Sequence, residues 1–207
     1  MKTLTKDMQS SISPSMALDL LKDGNKRFVN NLKINRNLLQ QANETSDGQH
    51  PFAVILSCID SRTSAELIFD QGLGDVFSVR IAGNVVNEDI LGSMEFGCKV
   101  AGAKIIIVLG HTKCGAVKGA CDNVELGNLT RLIHKIKPAV EQESATIANR
   151  NSSNSVFVEN VAELNVRLSV KNILLHSPII ADMVSNGDIT IVGGIHDIST
   201  GEVKFFE

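Results

Sequence analysis

Two short motifs carry most of the chemistry open to this chain: Cys58-Ile59-Asp60-Ser61-Arg62 and, about fifty residues on, His111-Thr112-Lys113-Cys114. Each follows an apolar run rich in β-branched residues, Phe52 to Leu56 and Lys104 to Leu109, so each sits where a buried strand would end. In an open α/β sheet, ligands collect at the carboxyl ends of strands. Two thiols and one imidazole brought to neighbouring strand ends are three of the four donors of a tetrahedral zinc. They leave one position for water, the arrangement of a catalytic metal. His111 and Cys114, three apart across a strand-to-helix bend, can face one side. Cys58 and Asp60, two apart in an extended chain, share a face, which sets a carboxylate beside the metal. Arg62 is near enough to pair with Asp60 and keep it ionised. An ionised Asp60 cannot donate a proton: it either accepts a hydrogen bond from water at the open position or takes that position itself. Only the first supports catalysis. Singly, Cys58 and Cys114 read as core thiols and His111 as a satisfied core histidine; three donors at two strand ends favour a metal site.

The rest of the chain has to hold these residues. With 207 residues, 43% of them hydrophobic, it can bury one good-sized core, and a single domain over residues 1–207 is expected, an N-terminal helical arm (1–34) preceding a core (50–207). A net charge of −3 with interleaved signs offers no basic stripe for nucleic acid or an anionic membrane. The amino terminus has no apolar run of signal-peptide length, and no stretch reaches the roughly 18 apolar residues of a membrane span. A cytoplasmic protein is therefore expected, with its four cysteines as thiols or ligands and not as a disulfide frame.

Ser13-Pro14 opens a helix that Asp23-Gly24 should stop, and a second should cover Asn25 to Leu32. Such an arm packs either on a partner subunit or on its own domain. Asn35 to Gln49, rich in Asn and Gln, reads as loop. Strands are expected at Phe52 to Ser57, Asp75 to Ile81, Lys104 to Leu109 and Ile189 to Ile195, with Ser199 to Glu202 turning into a last one at Val203 to Phe206. Helices are expected over Asp60 to Phe69, Ile90 to Ala101 and Gly115 to Cys121. Two long ones should carry Leu129 to Val140 and Phe157 to Leu168, and a short one should follow Ser177-Pro178. The alternation predicts an α/β fold, a mostly parallel β-sheet core flanked by helices.

Cys-x-Asp-x-Arg and His-x-x-Cys at this separation resemble the β-class carbonic anhydrases. The likeness extends through Glu66 to Asp70, Val79-Arg80-Ile81-Ala82-Gly83-Asn84 and Thr200-Gly201. It implies zinc on Cys58, His111 and Cys114, an Asp60–Arg62 dyad as the catalytic pair, and reversible hydration of carbon dioxide to bicarbonate and a proton by hydroxide formed at the zinc. It also implies that Gln49 donates its amide to a substrate oxygen, that Phe77, Ala82 and Phe96 wall the pocket, and that Gly83 allows close backbone approach. A homodimer or homotetramer is implied, paired through the arm and the sheet edge. Ile59, Ile81 and Phe96 depart from the family pattern without touching a ligand. The bicarbonate-inhibited subgroup uses a Trp and a Tyr, and this chain has neither, so an open site is expected, with Asp60 on Arg62 and off the metal. The same motifs serve relatives that act on carbonyl sulfide or carbon disulfide, and a structural zinc module remains a second alternative. Cys98 and Cys121 read as core, and His50, His134 and His176 as surface or capping residues. His196, beside Asp197, has no role assigned by sequence.

Overall fold

In the computed structural model, which describes residues 3–206, the two all-apolar runs become the centre of the sheet. Three helices come first, α1 (Lys6–Ser11), α2 (Pro14–Val29) and α3 (Leu38–Glu44), followed by β1 (Ala53–Ser57), α4 (Ala65–Ile68) and β2 (Val76–Arg80). A tight turn at Ala82–Asn84 leads to α5 (Glu88–Glu95), which a π-helical turn over Phe96–Val100 continues, and then to β3 (Ile105–His111). The remainder is α6 (Gly115–Cys121), α7 (Gly127–Ile133), α8 (Lys137–Gln142), α9 (Ser155–His176), α10 (Pro178–Ser185), β4 (Thr190–His196) and β5 (Val203–Phe205). The strand order is β2-β1-β3-β4-β5, parallel throughout except for β5, which runs antiparallel to β4.

Every residue of β1 and β3 is buried, because alternate side chains enter different cores. Ala53, Ile55, Ile105, Ile107 and Leu109 meet Ala17, Leu21, Ile68 and Phe69 on one face. Val54, Leu56, Ile106 and Val108 meet Met94, Val166, Ile173 and Ile180 on the other. Each large aliphatic side chain buried in this way contributes about 1.5–3 kcal/mol. A third cluster, containing Cys58, Val85, Cys114, Val117, Ile136, Phe157 and Val161, closes over the carboxyl end of the sheet. In this fold the first two clusters hold the strands, and the third holds what the strands deliver.

The arm packs on its own sheet, and Asp23-Gly24 does not stop it: α2 runs unbroken to Val29. A Cβ on Gly24 would lie 1.8 Å from the Phe69 carbonyl oxygen, so the glycine is there for close approach and not as a break. Next to it, the Asn25 amide donates to the carbonyls of Ile68 (3.2 Å) and Gly201 (2.9 Å) and accepts from the Val203 N–H (2.9 Å), tying α2 to α4 and β5. Arg27 and Arg36 both pair with buried Asp70. Gly24→Ala is expected to cost about 1–3 kcal/mol, the usual range for overpacking, read as a lower urea midpoint at unchanged m-value.

Other boundaries differ for local reasons. The Asn/Gln-rich segment contains α3, capped by the Asn37 side chain accepting from Gln40 N–H and anchored by buried Gln41. The long helix expected over Leu129 to Val140 is two, since Pro138 must sit in a first turn and starts α8. Among the described residues no helix is long and apolar enough to cross a membrane.

Candidate metal centre

β1 and β3 are parallel neighbours, Ser57 opposite Leu109, so the residues just beyond them emerge side by side. The ligand atoms of Cys58, His111 and Cys114 lie within 4.8 Å of one another, and all three residues are buried. The imidazole is already turned for ligation: Nδ1 is 2.9 Å from the Thr112 carbonyl, which can only accept, so Nδ1 carries the proton. Nε2 keeps its lone pair and has no partner although it is buried, as a metal-binding histidine requires. Lys113, with φ at 58°, lets the chain double back from His111 to Cys114. Its N–H is held by Glu159 Oε1 at 2.9 Å, and Thr112 N–H by the His196 carbonyl at 3.0 Å.

Gly83 closes the other side. Its N–H donates to Cys58 Sγ at 3.4 Å, its φ is 68°, and a Cβ there would strike Ile136 Cδ1 at 2.6 Å, so only glycine meets both demands. The Asn165 amide donates to the Gly83 carbonyl at 2.8 Å and the Ser169 hydroxyl to the Asn84 carbonyl at 3.2 Å, fixing the turn from α9.

The electrostatics of the trio call for a cation. The Cys58 thiol is pulled down to about 4, chiefly by its hydrogen bond from Cys114 and against burial, with help from His111 and the Gly83 N–H. Cys114 is pushed far up, first by that same hydrogen bond and then by burial. Without a counter-charge the two sulfurs share a proton. A dication among them lets both ionise, which is what thiolate ligation needs. The donor set therefore fits a metal.

Asp60 stands beside the trio and not in it. Arg62 grips its carboxylate with Nε at 2.9 Å and Nη2 at 2.8 Å, and the Arg62 N–H adds a third bond at 2.9 Å. Those bonds hold Asp60 well below the usual carboxylate range. His196 lies opposite His111 in the β3–β4 register and is 2% exposed. Burial drives it down to about 4, so it is neutral near pH 7.

The other predicted residues divide. Ala82 and Gly83 lie in the turn against Cys58. Phe77 pairs in register with Val54, toward the amino end of β1, about three residues or 10 Å back along the strand from the metal end. Phe96 packs edge-on against it, ring centroids 6.2 Å apart, and is 54% exposed. Gln49 is exposed and precedes the amino end of β1. Strand polarity thus keeps Gln49, Phe77 and Phe96 off the trio of their own chain. Cys98 and Cys121 are core, whereas Arg80, given no role by the motif that contains it, and Thr63, unnoticed in sequence, hold the turn that carries Cys58 and Asp60. A cavity of about 670 Å³ between α5, α8 and α9 contains none of the predicted site residues. A cavity without convergent chemistry is weaker ground for a site than the trio.

Fold and trio together define an α/β protein that can hold one metal ion at the carboxyl edge of its sheet. The family model for carbonic anhydrase matches residues 53–203. Carbonic anhydrase 2 of Mycobacterium tuberculosis is 34% identical over 196 residues, 91% of each chain. A carbonic anhydrase of Mycolicibacterium smegmatis is 33% identical over 193 residues, 93% of each. Among solved structures, the β-carbonic anhydrase CcaA aligns with a TM-score of 0.73 at 25% identity, over 92% of this chain and 87% of its own. The β-carbonic anhydrase CafA of Aspergillus fumigatus gives 0.69 at 26%, over 93% and 90%. The chain belongs to the carbonic anhydrase family, in its β class.

Proposed function

We propose that this protein is a zinc enzyme that interconverts carbon dioxide and water with bicarbonate and a proton. The observation that carries the reading is the buried Cys58–His111–Cys114 trio with Asp60 tied to Arg62 beside it, three donors with a fourth position left free. Zinc held there would supply Lewis acidity, lowering the pKa of water from about 15.7 toward about 7 in all-imidazole sites, and less far here because two thiolates donate more charge.

The chain's own groups do the rest. Asp60, kept ionised and fixed in direction by Arg62, is an acceptor only and orients the attacking water by taking its hydrogen. Arg62 is the positioning partner of that carboxylate. Gly83 steadies Cys58 through its N–H, while Ala82 and buried Val85 offer an apolar surface suited to an uncharged, linear substrate.

Gln49, Phe77 and Phe96 act, in this reading, across a dimer. β2 is an edge strand, and a second copy placed along it would bring exposed Phe96 and half-buried Phe77 toward the other chain's metal centre. One related pair of solved structures, at 22% identity, is described as tetrameric. The free thiols of all four cysteines agree with a reducing, cytoplasmic setting.

Stopped-flow hydration on zinc-quantified protein tests the function. Activity is expected to climb as pH rises above neutrality. Asp60 adds no acid limb of its own: its folded value lies below the ordinary carboxylate range, so it loses its charge only under acid well outside the assay. A rate flat from about pH 6 to about 9 would contradict the thiolate-ligated site.

A further inference from the structure

The hydrogen-bond ladder between β1 and β2 ends where Ile81 N–H meets the Ser57 carbonyl at 3.0 Å. Immediately beyond lie the carbonyls of Cys58 and Asp60, whose side chains make the site, and which have no strand partner left. Cys58 is only 5% exposed, and a buried carbonyl without a donor is costly. Arg80, the last residue of β2, reaches both: Nε donates to the Cys58 carbonyl at 3.1 Å and Nη2 to the Asp60 carbonyl at 2.7 Å, where the Thr63 N–H also donates at 3.0 Å. Thr63, 1% exposed, reaches the same two oxygens with its hydroxyl at 3.3 and 3.0 Å. One hydroxyl hydrogen cannot serve both at once, whereas a planar guanidinium can.

We infer that Arg80 is a positioning residue for the hydration reaction: its two-pronged grip on the Cys58 and Asp60 carbonyls fixes the turn that aims Cys58 at the trio and keeps Asp60 on Arg62 instead of on the metal. The inference rests on the zinc-hydratase reading given above. Asp60 is held at its carbonyl, by Arg80 together with the Thr63 N–H, and at its carboxylate, by Arg62. Releasing the first frees the carboxylate to reach the fourth position and block it. Thr63, with Cys58 Sγ and its metal, retains enough of the turn for the three ligands to stay.

The test compares Arg80→Gln and Arg80→Lys with the wild-type full-length chain. In Arg80→Gln, kcat is expected to fall roughly 10–100-fold, the usual range for a group supporting a ligand shell, with KM within about twofold and zinc per chain unchanged. The cobalt(II)-loaded protein should show altered visible bands, since these follow the number and type of donors. Arg80→Lys should recover little, because a single ammonium cannot span both carbonyls. The inference is overturned if kcat in Arg80→Gln stays within about twofold of wild type, if kcat falls only in proportion to zinc lost, or if Lys restores full activity. Zinc-loaded wild type without hydration activity would sink the hydratase reading alone. The cobalt spectrum of Arg80→Gln would still decide the clamp, an unaltered spectrum overturning it.

Discussion

Cys58→Ala protein is expected to purify folded, with roughly a tenth or less of the wild-type zinc, and to hydrate carbon dioxide no faster than buffer. Four-donor zinc sites contribute about 10–16 kcal/mol on binding, about 2.5–4 per donor, so removing one donor should lower affinity about a hundred- to a thousandfold. The fold should tolerate the change. The sulfur lies in a cluster with Val85, Cys114 and Val117, and emptying so small a volume costs no more than a few kcal/mol. Cys114 would also lose the neighbouring sulfur that drives it up, so the two remaining donors would be a neutral imidazole and an isolated buried thiol. Cys98→Ala is the control. That thiol is equally buried, its own shift, up to about 12, comes from burial alone, and its removal should leave zinc and rate untouched. A Cys58→Ala protein with full zinc would disprove the ligand set.

What the sequence disclosed, and what it hid, follows from the kind of interaction involved. β1 and β3 were legible because strands buried on both faces must be apolar at every position, and the motif residues because they stand just past those runs. Gly24 misled because helix propensity is a weak prior that a tertiary contact overrides. The approach of the Phe69 carbonyl, 45 residues on, leaves no local trace. α3 was hidden because its anchoring is polar: buried Gln41 accepts from Leu73 N–H. The roles of Arg80 and Thr63 were hidden for a related reason, since their partners are main-chain carbonyls, which every residue has. The resemblance named Phe77 and Phe96, but only strand direction reveals that they lie away from their own chain's trio.

Asp60→Ala should give the opposite pattern from Cys58→Ala: zinc retained in full, kcat lowered roughly 10–100-fold. The carboxylate contacts Arg62 and not the trio, so its loss leaves the ligands intact. Arg62 is 55% exposed in that pair and can return to solvent with little effect on stability. Wild-type Asp60 stays ionised at every working pH because Arg62 holds it below the ordinary carboxylate range, so the loss should be uniform. The variant's rate–pH curve is expected to run parallel to the wild-type curve from about pH 6.5 to about 9, shifted down without change of slope. Asp60→Asn sharpens the test. It keeps the shape but turns an acceptor-only group into one that also presents two N–H donors, so it should fare no better than alanine if orientation of the attacking water is the role. If Asp60 instead occupied the fourth position, its removal would open the site, and kcat would hold or rise. A retained or increased rate in Asp60→Ala, with zinc unchanged, would therefore assign the carboxylate to the metal and remove it from the catalytic step.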